Sequence, residues 1–341
     1  MTKNYLVTGG AGFIGSNYVH RLVSRGEKVT VFDNLSRGGA PRNLEWLKQT
    51  HGADAFRMIV GDVRDSAAIT EAARGADVIV HLAGQVAVTT SVVNPREDFE
   101  INALGTFNTL EAARASGRKP IFLYASTNKV YGGMDDVEIV EDATRWHYKD
   151  LTYGAAEDQP LDFHSPYGCS KGTGDQYVRD YFRIYDLPTV VFRQSAIYGP
   201  RQFGIEDQGW LAWFIIAAVM GRPITIYGDG KQVRDMLFVD DLANAYDLAI
   251  QNIETARGQV YNVGGGAENM LAVWTEFEPM LERLLGKKIE VARGDWRPGD
   301  QRVFYADYRK AQRDLGWKPQ VGLEEGIERL FEWVKVNKEL F

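Results

Sequence analysis

Tyr167 and Lys171 are separated by four positions in the segment Tyr-Gly-Cys-Ser-Lys. On a helix this spacing places the two side chains on one face. A phenol can exchange a proton with an alcohol, and a nearby ammonium favours its ionised form. Most Tyr and Lys pairs on helices are surface residues, so this pair needs support from other parts of the chain.

A hydroxyl group in the right place gives that support. Thr127 lies in the run Ala-Ser-Thr-Asn-Lys-Val-Tyr-Gly, directly after an apolar strand pattern at 121–124. In a doubly wound parallel sheet the carboxyl ends of the strands form the edge where ligands bind. We therefore predict that a hydroxyl of this run, which contains Ser126 and Thr127, forms one catalytic group with Tyr167 and Lys171.

The chain begins with a glycine-rich loop between a strand pattern and a helix pattern. Gly9, Gly12 and Gly15 are spaced three apart, with Phe13 and Ile14 opening the helix. In dinucleotide-binding loops the first glycine allows a tight turn, the second lets the backbone approach a pyrophosphate, and the third allows close packing of helix and strand. We predict that these five residues bind a dinucleotide.

An acidic residue ends the second strand pattern. Asp33 is placed to bond an adenosine ribose, which favours NAD over NADP because a 2′-phosphate would be repelled. Arg37 is the signal against this preference. Asn34 and Ser36, beside Asp33, are predicted to contact the same end of the cofactor.

Two more segments are predicted to line the cofactor site. Asp62 and Val63 follow the third strand pattern, where a carboxylate can accept from an adenine amino group. Leu82, Ala83 and Gly84 follow the fourth strand, where small residues leave room for the cofactor. By itself, Asp62 could instead be the cap of the next helix.

These motifs belong to an α/β pattern of alternating strands and helices. Such alternation predicts a doubly wound parallel sheet of the Rossmann type. We expect an NAD-binding domain at 1–195 and a smaller, discontinuous substrate-binding lobe at 196–341, with some late segments returning to the main sheet. The acidic stretch 134–164 is either a binding loop or a solvated excursion. The strand patterns are 5–8, 29–32, 56–60, 78–81, 121–124, 189–192 and 224–227, and the helix patterns are 13–25, 67–74, 99–116, 167–185, 211–220 and 323–336.

Composition excludes several classes of protein. The net charge of −7 provides no general basic field for nucleic acid. One cysteine allows no internal disulfide, and the five histidines lack the spacing of metal ligands. The N-terminal segment lacks the long apolar stretch of a signal peptide, and no later run approaches the roughly 18 apolar residues of a membrane span. We therefore expect a cytoplasmic protein that binds neither membrane nor metal.

Taken together, these segments resemble the extended short-chain dehydrogenase/reductases, the NAD-dependent epimerase/dehydratase family, over nearly the whole chain. The resemblance also includes Asn102, counted with the cofactor-binding residues, and the run 230–235. It implies NAD as cofactor, a nucleotide-sugar substrate, and Tyr167 as a tyrosinate base assisted by Lys171, which also bonds the nicotinamide ribose. Thr127 would share the proton of the substrate alcohol. The family commonly forms homodimers through two helices, here about 99–116 and 167–185.

Family members differ in the chemical step after the oxidation of the sugar. The dehydratases carry Asp-Glu directly after the hydroxyl residue, whereas this chain has Asn128 and Lys129. This disfavours dehydration, and no acid is placed there for decarboxylation, so epimerisation is the prediction. Four segments further resemble members that epimerise CDP-hexoses at carbon 2. The alternatives are an epimerase acting at carbon 4 of a UDP-hexose and, more remotely, an NAD(H)-binding sensor without activity.

Substrate-binding residues are predicted from the same resemblance. Arg234 and Arg297 are predicted to bind the pyrophosphate, because a guanidinium group can form bidentate hydrogen bonds with phosphate oxygens. Asp300 is predicted to bind a ribose. An arginine taken alone more often forms a surface ion pair, and it is the match to the family's motifs that favours phosphate binding. The remaining substrate predictions are Gln85, Thr127 and Asn128. Tyr227 could stack on the base or belong to the core.

Overall fold

The computed structural model of the chain describes residues 2–297 and 301–341. The strands are β1 (Asn4–Thr8), β2 (Lys28–Asp33), β3 (Arg57–Val60), β4 (Val78–His81), β5 (Ile121–Thr127), β6 (Ile139–Glu141), β7 (Trp146–Tyr148), β8 (Thr189–Gln194), β9 (Ala196–Tyr198), β10 (Thr225–Tyr227), β11 (Val233–Phe238), β12 (Gln259–Val263), β13 (Met270–Ala272), β14 (Ala292–Gly294) and β15 (Val303–Phe304).

The α-helices are α1 (Phe13–Ser24), α2 (Ala40–His51), α3 (Ser66–Ala72), α4 (Val88–Val93), α5 (Pro95–Phe99), α6 (Gly105–Ala115), α7 (Ser165–Tyr185), α8 (Trp210–Met220), α9 (Val239–Gln251), α10 (Ile253–Ala256), α11 (Phe277–Leu285), α12 (Arg309–Leu315) and α13 (Leu323–Val336). A π-helical turn at Glu100–Leu104 joins α5 to α6. Short 3₁₀ turns lie at Asn128–Tyr131, Ala267–Asn269 and Lys338–Leu340.

The main sheet is parallel, in the order β12-β8-β5-β4-β1-β2-β3. Successive residues of a strand point to opposite faces, and both faces are covered. Val7 belongs to the apolar core shared with α1, α2 and α9, whereas Leu6 belongs to the core shared with α3, α6 and α7. The predicted doubly wound α/β fold is confirmed.

The smaller lobe is built around β11. This strand pairs in parallel with β9 and β15 and antiparallel with β13, while β10 and β14 form a separate parallel pair. Helices α8, α11 and α13 pack over these strands in a second apolar core that includes Phe214, Trp274 and Phe331. Strand β12 and helix α9 return to the main sheet. The division at residue 195 stays a prediction.

The stretch 134–164 packs against the smaller lobe. It contains the antiparallel pair of β6 and β7. The Trp146 indole donates to Asp229 at 2.8 Å, and the Tyr148 hydroxyl donates to the Val303 carbonyl at 3.1 Å. These contacts fix the stretch beside Asp229, which precedes β11, and beside β15. Separately, no helix among the described residues is long and apolar enough to cross a membrane.

Candidate active site

Two cavities meet at the carboxyl edge of the main sheet. The first, of about 480 Å³, lies over the glycine loop, and the second, of about 350 Å³, lies between the main sheet and the smaller lobe. Tyr167 lines both cavities, together with Val86 and Gln208. A group held in either cavity can therefore approach the Tyr167 phenol.

The glycine loop is shaped by close backbone contacts. Gly9 has a φ of +67°, and a Cβ there would lie 2.7 Å from the Ala83 nitrogen. A Cβ on Gly15 would lie 2.1 Å from the Gly9 carbonyl oxygen. Helix α1 begins at Phe13 with no side chain capping it, so its first N–H groups are available to an anion. These positions require glycine, as the sequence predicted.

Asp33 supports this loop from the end of β2. Its carboxylate accepts from the Ala11 nitrogen at 3.0 Å and from the Leu35 nitrogen at 2.8 Å. Burial raises its pKa, and these backbone hydrogen bonds act in the opposite direction. Arg37, the residue that weakened the preference for NAD, donates to Gln208 of the smaller lobe. Asp33 therefore organises the loop and also lines the first cavity.

Asp62 is a half-buried, ionised carboxylate rather than a helix cap. It forms an ion pair with Arg64 at 2.7 Å and accepts from Asn34 at 2.9 Å. The hydrogen bonds from Arg64 lower its pKa to about 2. The cap of α3 is Asp65, which accepts from two backbone nitrogens at 3.0 Å. The alternative interpretation of Asp62 as a cap is wrong.

Nearly all residues predicted to bind the cofactor line the first cavity. The exception is Asn102, whose side chain is buried away from it. The predicted residues that do line it are Gly9, Gly12, Phe13, Ile14, Gly15, Asp33, Asn34, Ser36, Asp62, Val63, Leu82, Ala83, Gly84, Tyr167 and Lys171. The sequence did not point to Arg201, Gln202 and Phe203, which line the same cavity from the loop after β9.

Asn102 positions the segment after β4. Its Oδ1 accepts from the Gln85 nitrogen at 3.0 Å, and its Nδ2 donates to the Gln85 carbonyl at 3.0 Å. The π-helical turn at Glu100–Leu104 carries this asparagine, and such turns often occur at functional sites. Asn102 thus fixes the cavity wall without lining it.

A buried carboxylate, Asp98, joins this segment to the catalytic helix. It is 1% exposed. It accepts from the Gln85 amide at 3.0 Å, from Asn102 at 3.1 Å and from the Ser170 hydroxyl at 2.6 Å. Because Ser170 immediately precedes Lys171, Asp98 fixes the start of α7 relative to the cavity wall.

Tyr167, Thr127 and Lys171 come together as the sequence predicted. Helix α7 presents the tyrosine and the lysine, and the end of β5 presents the threonine. Burial raises the pKa of Tyr167 to about 12, while a hydrogen bond with Thr127 acts to lower it. Burial also lowers the pKa of Lys171 to about 7, against the attraction of the Asp98 and Asp175 carboxylates. Burial therefore favours the neutral form of both side chains in the protein without cofactor.

His81 is a buried residue whose two ring nitrogens are hydrogen-bonded to threonine hydroxyls. Its Nδ1 is 2.8 Å from the Thr8 hydroxyl and its Nε2 is 3.1 Å from the Thr106 hydroxyl. Thr106 donates its own proton to the Asn102 carbonyl at 2.6 Å, so Nε2 must be the protonated nitrogen. Burial lowers the pKa of His81 to about 3, with Lys171 as a second cause. The histidine is therefore a neutral, fully bonded core residue.

The second cavity contains most of the predicted substrate residues. Thr127, Asn128, Arg234 and Arg297 line it, but Gln85 lines only the first cavity, where Asp98 and the Ala87 carbonyl bind its amide. Asp300 lies outside the described residues.

The end of this cavity near Arg297 also carries acidic and aromatic groups. The Arg297 guanidinium is 4.0 Å from the centre of the Tyr227 ring and 3.4 Å from the Asp207 carboxylate. The Tyr227 hydroxyl donates to Glu206 at 3.0 Å. Tyr227 therefore faces the cavity rather than the core, with one side of its ring already covered by an arginine.

A buried ion pair under the site was also missed by sequence reasoning. Arg193 and Asp175 pair at 2.9 Å and are 2% and 0% exposed. The Ser126 hydroxyl donates to the same carboxylate at 2.8 Å, and Arg193 donates to the Tyr131 hydroxyl at 3.0 Å. Ser126 precedes Thr127, so this network holds the end of β5 against α7. Its members are far apart in sequence, and no local pattern marks them.

The structure combines a Rossmann sheet, a dinucleotide-type cavity and a second lobe, with a Tyr, Lys and Thr group between the cavity and that lobe. This combination defines the short-chain dehydrogenase/reductase class. The family model described as GDP-mannose 4,6 dehydratase matches residues 6–330. The chain belongs to this family, and the predicted membership of the extended NAD-dependent epimerase/dehydratases is confirmed.

Individual relatives match over nearly their whole length. The chain is 44% identical to CDP-paratose 2-epimerase of Salmonella typhi, covering 96% of this chain and 98% of that protein. It is 34% identical to UDP-glucose 4-epimerase of Mycolicibacterium smegmatis, covering 97% and 98%. Among solved structures, Thermus thermophilus UDP-glucose 4-epimerase in complex with NAD superimposes with a TM-score of 0.81 at 33% identity, covering 98% and 99%.

Proposed function

We propose that this protein is an NAD-dependent sugar-nucleotide epimerase that interconverts CDP-paratose and CDP-tyvelose by transient oxidation at carbon 2. Oxidation and re-reduction of a sugar alcohol are supported by the position of Tyr167 in the wall shared by both cavities. A sugar alcohol in the second cavity and a hydride acceptor in the first can both reach the neighbourhood of its phenol. The 44% identical relative supports the choice of sugar and carbon.

The residues of the first cavity fit NAD. The glycine loop provides a cradle that side chains would fill, the uncapped start of α1 suits a pyrophosphate, and Asp33 suits a ribose with a free 2′-hydroxyl. When bound, NAD supplies a hydride acceptor for the oxidation, a donor for the reduction, and in its oxidised form a positive charge. Lys171, which also lines this cavity, would bond the nicotinamide ribose.

Tyr167 is the group that moves the proton. It takes the proton of the carbon 2 hydroxyl as the alcohol becomes a ketone, and it returns the proton after the sugar presents its other face. Thr127 shares that proton through its hydrogen bond to the phenol. A cationic Lys171 stabilises the tyrosinate, because an opposite charge within a few ångströms favours ionisation. These roles require an ionised tyrosine and a charged lysine at the same time.

Epimerisation is favoured over dehydration by the groups beside Thr127. The next two residues, Asn128 and Lys129, offer no carboxylate to protonate a leaving hydroxyl or to take a proton from carbon. The Lys129 ammonium donates to the Gln301 amide at 2.8 Å. Oxidation and re-reduction of one carbon need only the proton-transfer group already present. The joint presence of Tyr167, Lys171 and Thr127 also favours an enzyme over a non-catalytic NAD(H) sensor.

The substrate would lie along the second cavity. We propose that Arg234 and Arg297 bind the pyrophosphate, that Asn128 and Thr127 contact the hexose, and that Asp300 binds the ribose, as the resemblance implies. Gln85 would act mainly by fixing the wall between hexose and cofactor, since its amide is bound to Asp98 and Ala87.

We further propose a homodimer that forms through α6 and α7. The Phe107 and Tyr177 rings contact edge to face at 5.8 Å and are 39% and 46% exposed. Exposed apolar residues on neighbouring helices are a common feature of protein interfaces. Light scattering should give twice the chain mass, and Tyr177→Glu should give the monomer mass. The single cysteine supports a location in the cytoplasm, where thiols stay reduced.

Deuterium at carbon 2 of CDP-paratose tests the reaction. We expect a primary isotope effect and a CDP-tyvelose product that keeps the label, because the hydrogen moves as hydride and returns to the same carbon. Loss of the label to water would instead indicate proton abstraction and would refute the mechanism. Supplying UDP-glucose in parallel, with NMR of the product, separates this proposal from carbon 4 epimerisation of a UDP-hexose.

A further inference from the structure

A tight turn in the loop after β9 places two carboxylates in the wall of the second cavity. Ile205 and Gln208 exchange backbone hydrogen bonds at 3.0 and 2.9 Å, and Glu206 and Asp207 form the tip between them. Both acidic residues line the second cavity, and their side chains are 45% and 49% exposed. Water therefore reaches both carboxylates, and each side chain can rotate without movement of the main chain.

The tip of this turn is bound to Arg297, the arginine proposed above for the pyrophosphate. The Arg297 guanidinium lies 3.4 Å from the Asp207 carboxylate and 4.0 Å from the Glu206 carboxylate. One of its nitrogens donates to the Glu206 carbonyl at 3.3 Å. Arg297 itself lines the second cavity with its side chain 27% exposed. The cation that an anionic ligand would use is therefore already paired with acidic groups of the protein.

The two carboxylates differ in what else holds them. Glu206 also accepts a hydrogen bond from the Tyr227 hydroxyl at 3.0 Å. The Asp207 carboxylate, within the described part of the chain, has Arg297 as its polar partner and no other. An exposed ion pair of this kind adds little net stability. Asp207 is therefore the group that a competing anion displaces most easily from Arg297.

A diphosphate is suited to take the place of Asp207. A guanidinium forms charge-assisted, bidentate hydrogen bonds with phosphate oxygens as it does with carboxylate oxygens. Like charges at a few ångströms repel each other, so a diphosphate at Arg297 favours a position of the Asp207 carboxylate away from the cavity.

We propose, resting on the proposed function, that Asp207 is an internal competitor for the diphosphate of the substrate. It holds Arg297 before the nucleotide sugar binds and turns into solvent when the diphosphate reaches the guanidinium. The apparent affinity for the substrate is then reduced by the fraction of the protein in which Asp207 occupies Arg297. Removing the Asp207 charge should therefore tighten ligand binding, whereas removing a residue that contacts the ligand would weaken it.

Calorimetry on the NAD-loaded enzyme tests this assignment, because bound NAD occupies the glycine loop and leaves the second cavity for the ligand. Inorganic pyrophosphate and CDP are the two probes. We expect Asp207→Asn to bind both roughly two- to sixfold more tightly than the wild type. The matched control is Asp54→Asn, which changes the net charge equally at an exposed position outside both cavities and should match the wild type. Arg297→Met should weaken both ligands, and adding Asp207→Asn to it should give no further gain.

Three results would overturn the assignment. If Asp207→Asn binds either ligand no more tightly than the wild type, Asp207 does not compete for Arg297. If Asp54→Asn gives the same gain, the effect is one of general charge. If Arg297→Met binds both ligands as the wild type does, Arg297 is not the phosphate site. None of these results affects the carbon 2 isotope experiment. Conversely, tighter binding by Asp207→Asn together with loss of the carbon 2 label to water would refute the proposed reaction and leave this assignment standing.

Discussion

Replacing Asp98 by asparagine removes one negative charge from beneath the catalytic pair with little change of shape. The Oδ1 atom can still accept from Gln85 and Asn102, as it does at 3.0 and 3.1 Å. The Ser170 hydroxyl can turn to the Tyr167 carbonyl, which lies 3.1 Å away. The variant is therefore expected to fold and to bind cofactor, so that its effect reports the lost charge.

That charge acts on both titrating groups in the same direction. Asp98 raises the pKa of Lys171, which stands at about 7, and it also raises the pKa of Tyr167. An opposite charge nearby typically moves a pKa by about 1–3 units. Without it, the Lys171 ammonium and the Tyr167 phenol should both lose their protons at lower pH.

The expected result is a shift of the whole pH profile of kcat/KM toward acid. If the pKa of Lys171 falls by about one unit, the ammonium fraction at pH 8 falls about tenfold, and activity on the basic side falls with it. On the acidic side Asp98→Asn should approach or exceed the wild type. Activity is followed by NMR of the epimerised sugar nucleotide between about pH 5 and 9.

Ser170→Ala is the matched control, because it removes a hydrogen bond to Asp98 but leaves the charge. It should lower stability and keep the wild-type pH profile. If Asp98→Asn lowers activity equally at every pH, or if Ser170→Ala shifts the profile as much, Asp98 acts by packing alone and the electrostatic reasoning is wrong.

Three other buried groups give predictions of their own. Tyr167→Phe should reduce kcat about 10²- to 10⁴-fold while NAD still raises the melting temperature; unchanged turnover would rule out the phenol as the proton-transfer group. The pKa of His81 is lowered from 6.5 to about 3 by burial, so its contribution to stability is complete above pH 6.5 and is lost as the pH falls toward 3, by about 1.4 kcal/mol per pH unit. Urea unfolding of His81→Gln should show a shallower pH slope, and an equal slope would contradict this. Arg193→Met should lower the free energy of unfolding by about 3–5 kcal/mol by leaving Asp175 buried and unpaired, and adding Asp175→Leu should recover part of that loss in the same urea assay.

Short-range patterns predicted the parts of the site that depend on spacing along one element. The glycine loop, the end of β2 at Asp33 and the start of α7 each follow from a few neighbouring residues. Helix α2 and strand β12 were not predicted. Helix α2 buries only Leu44 and Leu47 among its larger apolar side chains, and β12 is a five-residue run with polar positions.

Long-range pairings could not be predicted, because their geometry is set by tertiary structure. The hydrogen bonds between Asn102 and Gln85 span 17 residues, and Asn102 lies in the π-helical turn. The Arg37 bond to Gln208 spans 171 residues. The sequence motif around Asp62 did not include Arg64, two residues away. The ion pair with Arg64 is what distinguishes Asp62 from a helix cap.

Because β12 returns to the main sheet, the first 195 residues do not contain the whole sheet. A fragment ending at residue 195 would contain the glycine loop and β8 but would lack Gln259–Val263, which pairs with residues 190–194 of β8. The freed edge of Thr189–Gln194 consists of buried residues, and such edges pair readily with other chains. It would also lack α9, whose Tyr246 and Leu242 cover one face of the sheet. We expect that fragment to aggregate on expression, because its main sheet is incomplete without β12 and α9.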